Sequence, residues 1–162
     1  MSNYELLVFG LSLFAALGCG LIAGVFFAFS SFVMRALARL SANGGIAAMQ
    51  SINVVVLNPV FLGTFVGTAV ICIFAMIAAL LRWHDPQSLY MLVGGVLYLV
   101  GTFLVTITFN VPLNNKLAAV ALDDAAGANV WANYLVKWTA WNHVRTAAAL
   151  AAAASFTLAL CP

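Results

Sequence analysis

The segment WTAWNHVR, near the end of the chain, holds the residues best suited to chemistry. Four of them recur at i, i+3, i+4 and i+7, a spacing that aligns side chains along one helical face: Trp138, Trp141, Asn142 and Arg145. His143 is one residue past Asn142 and roughly 100° further round the helix, so it flanks this stripe. A guanidinium in an apolar run needs carbonyls, amides or an anionic ligand as partners. The stripe therefore predicts a polar binding site.

The composition predicts that this site lies in a membrane protein. Only 6% of the 162 residues are charged and 65% are hydrophobic, whereas soluble globular domains are about 25% charged. Four apolar runs, at residues 6–34, 59–81, 89–109 and 138–160, each reach the roughly 18 to 20 residues that cross a hydrocarbon core. We therefore expect an all-α, integral membrane four-helix bundle that forms one transmembrane domain over residues 1–162. Short interfacial helices are expected in its two long connectors.

The few charges also exclude some partners. The net charge is +2, and the basic residues are scattered at the ends of apolar runs, whereas nucleic-acid binding requires a basic cluster. Nucleic acid is therefore excluded as a partner. The first apolar run has no basic residues before it and is longer than the roughly 7 to 15 residues of a signal-peptide core. It is expected to remain as a membrane helix.

Glycine, proline and asparagine predict where the helices begin and end. The sequence SANGG at residues 41–45 is expected to break the helix, and a proline at position 59 suits the first turn of the second span. The sequence NVPLNN at residues 110–115 is expected to end the third span. Residues 117–137 are expected to form one or two short helices on the membrane surface.

The positions of the basic residues predict the orientation in the membrane. Four spans place both chain ends and the turn at Arg82 on one side and both long connectors on the other. The connector side has four basic residues, Arg35, Arg39, Lys116 and Lys137, against Arg82 alone. The positive-inside rule therefore places the long connectors in the cytoplasm and both termini on the opposite side.

This topology brings asparagine-rich segments to the membrane face where the stripe begins. Asn58 precedes the second span, and Asn110 and Asn114 lie at the end of the third. Polar residues of the third span also repeat every four positions, which predicts a face turned to the bundle interior. That repeat consists of Tyr98, Thr102, Thr106 and Asn110.

Simpler interpretations of the same residues remain open. The long side chain of Arg145 is able to snorkel to the lipid headgroups, and the tryptophans suit an interfacial aromatic belt. Asn58 and Asn110 lie near prolines and are suited to cap helix ends. A buried Arg145 is nevertheless unusual, because no Asp or Glu lies within any predicted span. It would have no intramembrane carboxylate as a partner.

Three short motifs, in order and at their spacing, resemble a known family. They are LNPVF at residues 57–61, FNVPLNN at residues 109–115 and the pattern WxxWNxxR at residues 138–145. Over nearly its whole length the chain is similar to the small four-helix membrane proteins of the anthrone oxygenase family. Fungal members so named oxidise an anthrone to an anthraquinone with molecular oxygen. Family membership does not by itself establish that substrate.

If the activity of the family applies, the resemblance implies a reaction without metal or flavin. The activated carbon of an anthrone loses a proton, and the electron-rich anion reacts with oxygen directly. His143 is the candidate base, and Arg145 with Asn142 is the candidate anion-stabilising group. The expected substrate is a planar phenolic or anthrone-type compound. The residues expected to bind it are Trp138, Trp141, Asn110, Asn114 and Asn58.

Other functions are compatible with the same residues. A non-catalytic membrane protein would bind a lipid, a quinone or a partner in this pocket. A haem protein would use His143 as a single axial ligand. His84 lies in the turn on the opposite side, so a multi-ligand metal site within one subunit is not expected. The Gly- and Ala-rich spans are compatible with a homo-oligomer.

Overall fold

Helices are the regular secondary structure of the residues that the structure describes, and short turns connect them. The computed structural model describes residues 2–121 and 127–161, and no strand occurs among them. The predicted all-α fold class is confirmed. Within the described residues, five helices follow one another: α1 Asn3–Leu37, α2 Ala42–Val55, α3 Pro59–Leu81, α4 Gln87–Ala118 and α5 Gly127–Leu158.

The four long helices form a closed bundle with small residues inside. α1 packs against α3 and α5, and α4 packs against the same two helices from the other side. Residues such as Ala15, Cys19 and Ala152 are fully buried in its centre, whereas large apolar side chains such as Phe14 and Phe74 are exposed. Small interior residues allow close helix packing, and an apolar exterior suits lipid. The bundle is therefore built for a bilayer.

In the part of the chain that the structure describes, three helices are long and apolar enough to cross a membrane by length and composition: α1, α3 and α4. The protein is thus an integral membrane protein. The helix α5 is also long, but it carries the polar WTAWNHVR segment and its apolar part is mostly alanine, which lowers its hydropathy. The fourth span and the orientation in the membrane stay predictions.

The start of the second predicted span agrees with the structure. α3 runs from Pro59 to Leu81. The Asn58 side chain accepts hydrogen bonds from the backbone N–H groups of Val60 at 3.1 Å and Phe61 at 3.0 Å, which satisfies donors that the first helical turn cannot pair. Asn58 is therefore a helix cap, and it is exposed to the surroundings.

The third predicted span ends later than expected. NVPLNN was predicted to stop the helix near residue 109, but α4 continues through Pro112 to Ala118. The helix is π-helical over Thr106–Asn110, and Pro112 then lies in the first turn of the regular segment Val111–Ala118. A proline inside a continuous helix loses one hydrogen bond and clashes with the preceding turn, and the wider π-helical turn directly before Pro112 gives its ring room.

The first connector contains the predicted short helix, whereas the second differs from the prediction. α1 ends at Leu37 and α2 begins at Ala42, so the helix is broken here as expected, and the Ser41 hydroxyl caps α2 by accepting a hydrogen bond from the Gly44 N–H at 3.2 Å. Residues 127–137 do not form a separate surface helix, since they are the first turns of α5. Asp123 and Asp124, which were assigned to that surface helix, lie outside the described residues.

The short helix α2 packs across the connector end of the bundle. Ile46 and Met49 are buried there against Trp131 and Leu117. The Gln50 amide donates to the backbone carbonyls of Leu117 at 2.9 Å and of Val120 at 3.1 Å. These contacts attach α2 to the end of α4. The apolar residues buried there form a cluster that also includes Trp138 of the WTAWNHVR segment.

Candidate functional site

Arg145 is the centre of the candidate site. Its side chain projects from α5 into the bundle and is only 3% exposed. The guanidinium donates from Nη2 to the Asn142 side-chain oxygen at 2.7 Å and from Nη1 to the Thr106 hydroxyl at 3.2 Å. Its Nε is buried and has no hydrogen-bond partner. Arg145 therefore does not snorkel, and part of its donor capacity is unused.

The guanidinium of Arg145 also lies over two aromatic rings. The Arg145 Cζ lies 4.1 Å from the centroid of the Phe26 ring and 5.1 Å from that of Trp138. Such cation–π contacts strengthen where water is excluded. Among the described residues the carboxylates belong to Glu5 and Asp85, and both line a cavity at the chain-terminus end of the bundle. Neutral groups thus hold this buried cation.

Asn142 connects Arg145 to α1. Its side-chain amide is fully buried and donates to the Phe26 carbonyl and to the Ser30 hydroxyl, both at 2.7 Å. The Ser30 hydroxyl also pairs with the Thr146 hydroxyl at 3.0 Å. Both side-chain atoms of Asn142 are thereby used, one toward α1 and one toward Arg145. This asparagine fixes the position of the guanidinium.

The α4 side of the site uses the predicted polar repeat. Tyr98, Thr102 and Asn110 are buried and Thr106 is half-buried, so this face does turn inward. α4 is π-helical over Leu97–Leu104 and Thr106–Asn110. The wider π-helical turn keeps residues four positions apart close to one face, which explains the strict spacing.

Two asparagines of α4 bind Trp138: Asn110 bonds its backbone, and Asn114 bonds its ring. The Asn110 amide donates to the Trp138 carbonyl at 3.2 Å, while its own oxygen is buried without a partner. The Asn114 oxygen accepts from the Trp138 indole N–H and from the Tyr134 hydroxyl, both at 2.8 Å. These bonds orient Trp138 so that one face of its ring meets Arg145.

Three residues predicted for the site lie elsewhere. His143 is exposed on the outer side of α5, because its helical phase turns it away from Asn142 and Arg145. It is therefore not placed to act as a base in this cluster. Asn58 caps α3, as described above. Trp141 stacks on Phe109 with ring centroids 3.7 Å apart, which places it beside the cluster and away from the guanidinium.

Sequence reasoning missed several partners that the structure brings in. Thr106 was recognised as part of the polar repeat, and its spacing from Asn110 was the available signal for its contact with Arg145. Tyr134 belongs to a helical turn that was predicted to be a separate surface segment. Phe26 and Ser30 lie in an uncharged apolar run, and no pattern in the sequence distinguishes them.

A cavity of about 410 Å³ adjoins this cluster through Tyr134. Its volume lies within the range of roughly 300 to 1,000 Å³ that is typical of small-molecule sites. Its walls combine apolar side chains with two ammonium groups. The lining residues are Leu113, Lys116, Ala119, Val130, Asn133, Tyr134 and Lys137.

The charge of Arg145 acts on this cavity. Tyr134 precedes the fourth predicted span, and burial raises the pKa of its phenol above the ordinary value. A hydrogen bond from Asn53 and the positive charge of Arg145 both oppose that rise. Burial prevails, so the surroundings of this phenol still disfavour its anionic form, and the charge of Arg145 only reduces that effect. Among residues 2–121 and 127–161, no group of three or more His, Cys, Asp or Glu side chains is arranged to hold a metal ion.

The fold and the site together define a class: integral membrane helical bundles with a buried cluster of arginine, asparagine and aromatic residues. The family model described as anthrone oxygenase matches residues 58–155, which is more than half of the chain. The chain belongs to the anthrone oxygenase family, as its motifs suggested. No curated protein and no solved structure matches the chain. The matched range contains the site residues of α4 and α5, whereas Phe26 and Ser30 of α1 precede it.

Proposed function

We propose that this protein is a membrane oxygenase that acts on a planar phenolic or anthrone-type compound without metal or flavin. The observation that supports this most directly is the buried guanidinium of Arg145, which lies in a cluster that adjoins the 410 Å³ cavity through Tyr134. A buried positive charge is weakly screened and stabilises an anion nearby. Family membership supports the oxygenase-like role.

The substrate belongs in the cavity and not on the guanidinium itself. The ring centroids of Phe26 and Trp138 already lie 4.1 and 5.1 Å from the Arg145 Cζ, so little space is left for a further flat ring beside the guanidinium. In the cavity, Leu113 and Val130 provide apolar walls and Tyr134 an aromatic one. Trp138 therefore positions groups and does not contact the substrate directly.

The proposed chemistry requires only an anion and oxygen. An anthrone loses a proton from its CH₂ carbon to water at the cavity mouth, and the resulting anion is stabilised by Lys116, Lys137 and the field of Arg145. The anion passes electrons to O₂, and the same carbon becomes a carbonyl. One oxygen atom enters the quinone, and the other leaves as water with the two hydrogens of the CH₂ group. The atoms and electrons of this reaction balance without another reductant.

Oxygen uptake by the purified protein with an anthrone tests this proposal. Wild-type protein is expected to accelerate uptake over the buffer rate, and Arg145→Ala to lower that acceleration by about tenfold or more, the factor of one pKa unit in substrate acidity. Arg39→Ala is the matched control, since Arg39 is exposed and does not line the cavity. Circular dichroism and gel filtration establish that each variant is folded.

A folded Arg145→Ala variant with the wild-type rate would contradict the role of the buried charge. No acceleration by the wild type, together with a lipid or quinone retained in native mass spectrometry, would instead indicate a non-catalytic binding protein. That second function is favoured by the same apolar walls and lysine rim, which also suit an amphiphile with an acidic headgroup.

A further inference from the structure

A second cavity lies at the chain-terminus end of the bundle, away from the cluster around Arg145. Its volume is about 470 Å³. It is formed where the beginning of α1, the turn between α3 and α4, and the end of α5 meet. Its charged and polar lining includes Tyr4, Glu5, Arg82, Asp85 and Ser88. Neither the proposed oxidation nor the family motifs involve this cavity.

Arg82 and Asp85 are held on the same wall by the structure of the turn. The Ser88 hydroxyl donates to the Arg82 carbonyl at 2.7 Å, and the Ser88 N–H donates to the Asp85 carbonyl at 3.0 Å. The Arg82 guanidinium lies 4.3 Å from the Tyr4 ring centroid. Among the described residues it forms no ion pair with Asp85. The Arg82 cation and the Asp85 carboxylate thus line the same space without pairing, and Glu5 adds a second carboxylate to the lining.

The remaining walls of this cavity are apolar. The cavity lies at the level in the membrane where lipid headgroups are expected. Val8, Phe9, Met91 and Leu160 line the cavity beside the charged groups. α1 begins at Asn3, α3 ends at Leu81 and α4 begins at Gln87, so this end of the bundle coincides with the ends of three helices long enough to cross the membrane. A ligand there has a polar part among charges and an apolar part toward the bilayer.

We propose that this cavity binds the headgroup of a phospholipid that carries both a phosphate and a primary ammonium, namely a phosphatidylethanolamine. The Arg82 guanidinium donates to the phosphate, for which its planar fork is well suited. The Asp85 carboxylate accepts hydrogen bonds from the ammonium group. A phosphatidylcholine has a quaternary ammonium that donates no hydrogen bond, and a phosphatidylglycerol has no cation for Asp85.

Native mass spectrometry of the full-length protein, exchanged into mixed micelles of each lipid in turn, tests the proposal. Wild-type protein is expected to retain phosphatidylethanolamine about tenfold more tightly than phosphatidylcholine or phosphatidylglycerol of the same acyl chains. Asp85→Asn is expected to remove this preference, and Arg82→Ala to weaken all three lipids. Arg39→Ala, at the other end of α1, is the control and should keep the wild-type preference.

Competition among the three lipids on the wild-type protein does not depend on the stability of any variant. Equal retention of the three lipids by the wild type would overturn the proposal. So would an ethanolamine preference that survives in folded Asp85→Asn, because another group would then recognise the ammonium.

Discussion

Two arginines of this protein contact aromatic rings at nearly the same distance but in opposite surroundings. Arg145 lies 4.1 Å from the Phe26 ring centroid and is 3% exposed. Arg82 lies 4.3 Å from the Tyr4 ring centroid and is exposed in the α3–α4 turn. The ring contact is therefore not what distinguishes them. Burial makes the charge of Arg145 act over a distance, whereas solvent and headgroups screen that of Arg82.

The partners of the two arginines also differ in burial and in number. Arg145 is bound by Asn142 and Thr106, which are themselves packed between helices. The Arg82 side chain lies over a single ring. A buried cation without a carboxylate persists only if neutral groups solvate it. The structural importance of Arg145 should therefore be seen when its partners are changed, whereas changes around Arg82 should affect stability little.

The largest effect is expected for Asn142→Leu. This change removes the bonds to the Phe26 carbonyl, to Ser30 and to Arg145, and leaves a buried guanidinium with one neutral partner. We expect a loss of about 3–5 kcal/mol in the free energy of unfolding, the range for a buried charge that loses its partner. Denaturant unfolding in detergent measures it. Asn115→Leu, at an exposed position of α4, is the matched control, and equal losses in both variants would show that Asn142 does not solvate the cation.

A smaller effect is expected for Gly101→Ala, which tests the contact between α4 and α5. A Cβ at Gly101 would lie 2.5 Å from the Ala148 Cβ, one turn from Arg145. The helices must separate, at a cost of about 1–3 kcal/mol, and the rate of oxygen uptake should fall as Thr106 moves away from the guanidinium. Gly63→Ala has no neighbour within 4 Å and serves as the control. An unchanged melting temperature in Gly101→Ala would contradict the close approach.

The smallest effect is expected for Arg82→Ala. The exposed cation–π contact with Tyr4 contributes about 0.5–1 kcal/mol, so thermal unfolding in detergent should shift by no more than a few degrees. Oxygen uptake should be unchanged, because the charge lies at the chain-terminus end. A destabilisation comparable to that of Asn142→Leu would remove the distinction between the two arginines.

Much of the fold follows from composition and from the residues that begin or end helices. The apolar runs predict the long helices because covering a hydrocarbon core requires about 20 such residues. Asn58 and Pro59 predict the first turn of α3 because one side chain caps free N–H groups and the other has no N–H to satisfy. The same local reasoning failed at Pro112, where the π-helical turn of Thr106–Asn110 allows α4 to continue. The local sign of that widening is the strict four-residue repeat from Tyr98 to Asn110, which an α-helical interpretation does not distinguish from an ordinary inward face.

The candidate site was predicted only in part, because helical spacing is a local property of one helix. Helical spacing correctly placed Trp138, Asn142 and Arg145 on one face, because 3.6 residues per turn is a property of any α-helix. It also placed Trp141 there, although that ring turns aside to stack on Phe109. Spacing gives the direction of a side chain only within about a quarter turn. Neighbouring helices decide the rest.

The sequence by itself determined a membrane bundle, a polar segment on its last helix and an arginine without an acidic companion in the predicted spans, because these depend on composition and on helical periodicity. Only the tertiary structure decided that Asn142, Thr106 and the rings of Phe26 and Trp138 solvate that arginine, and that His143 faces outward. The contacts with α1 and α4 join residues far apart in the chain, such as Phe26 and Asn142, which are 116 positions apart. Packing of small residues at the helix interfaces brings them together, and no local pattern encodes which pairs will meet.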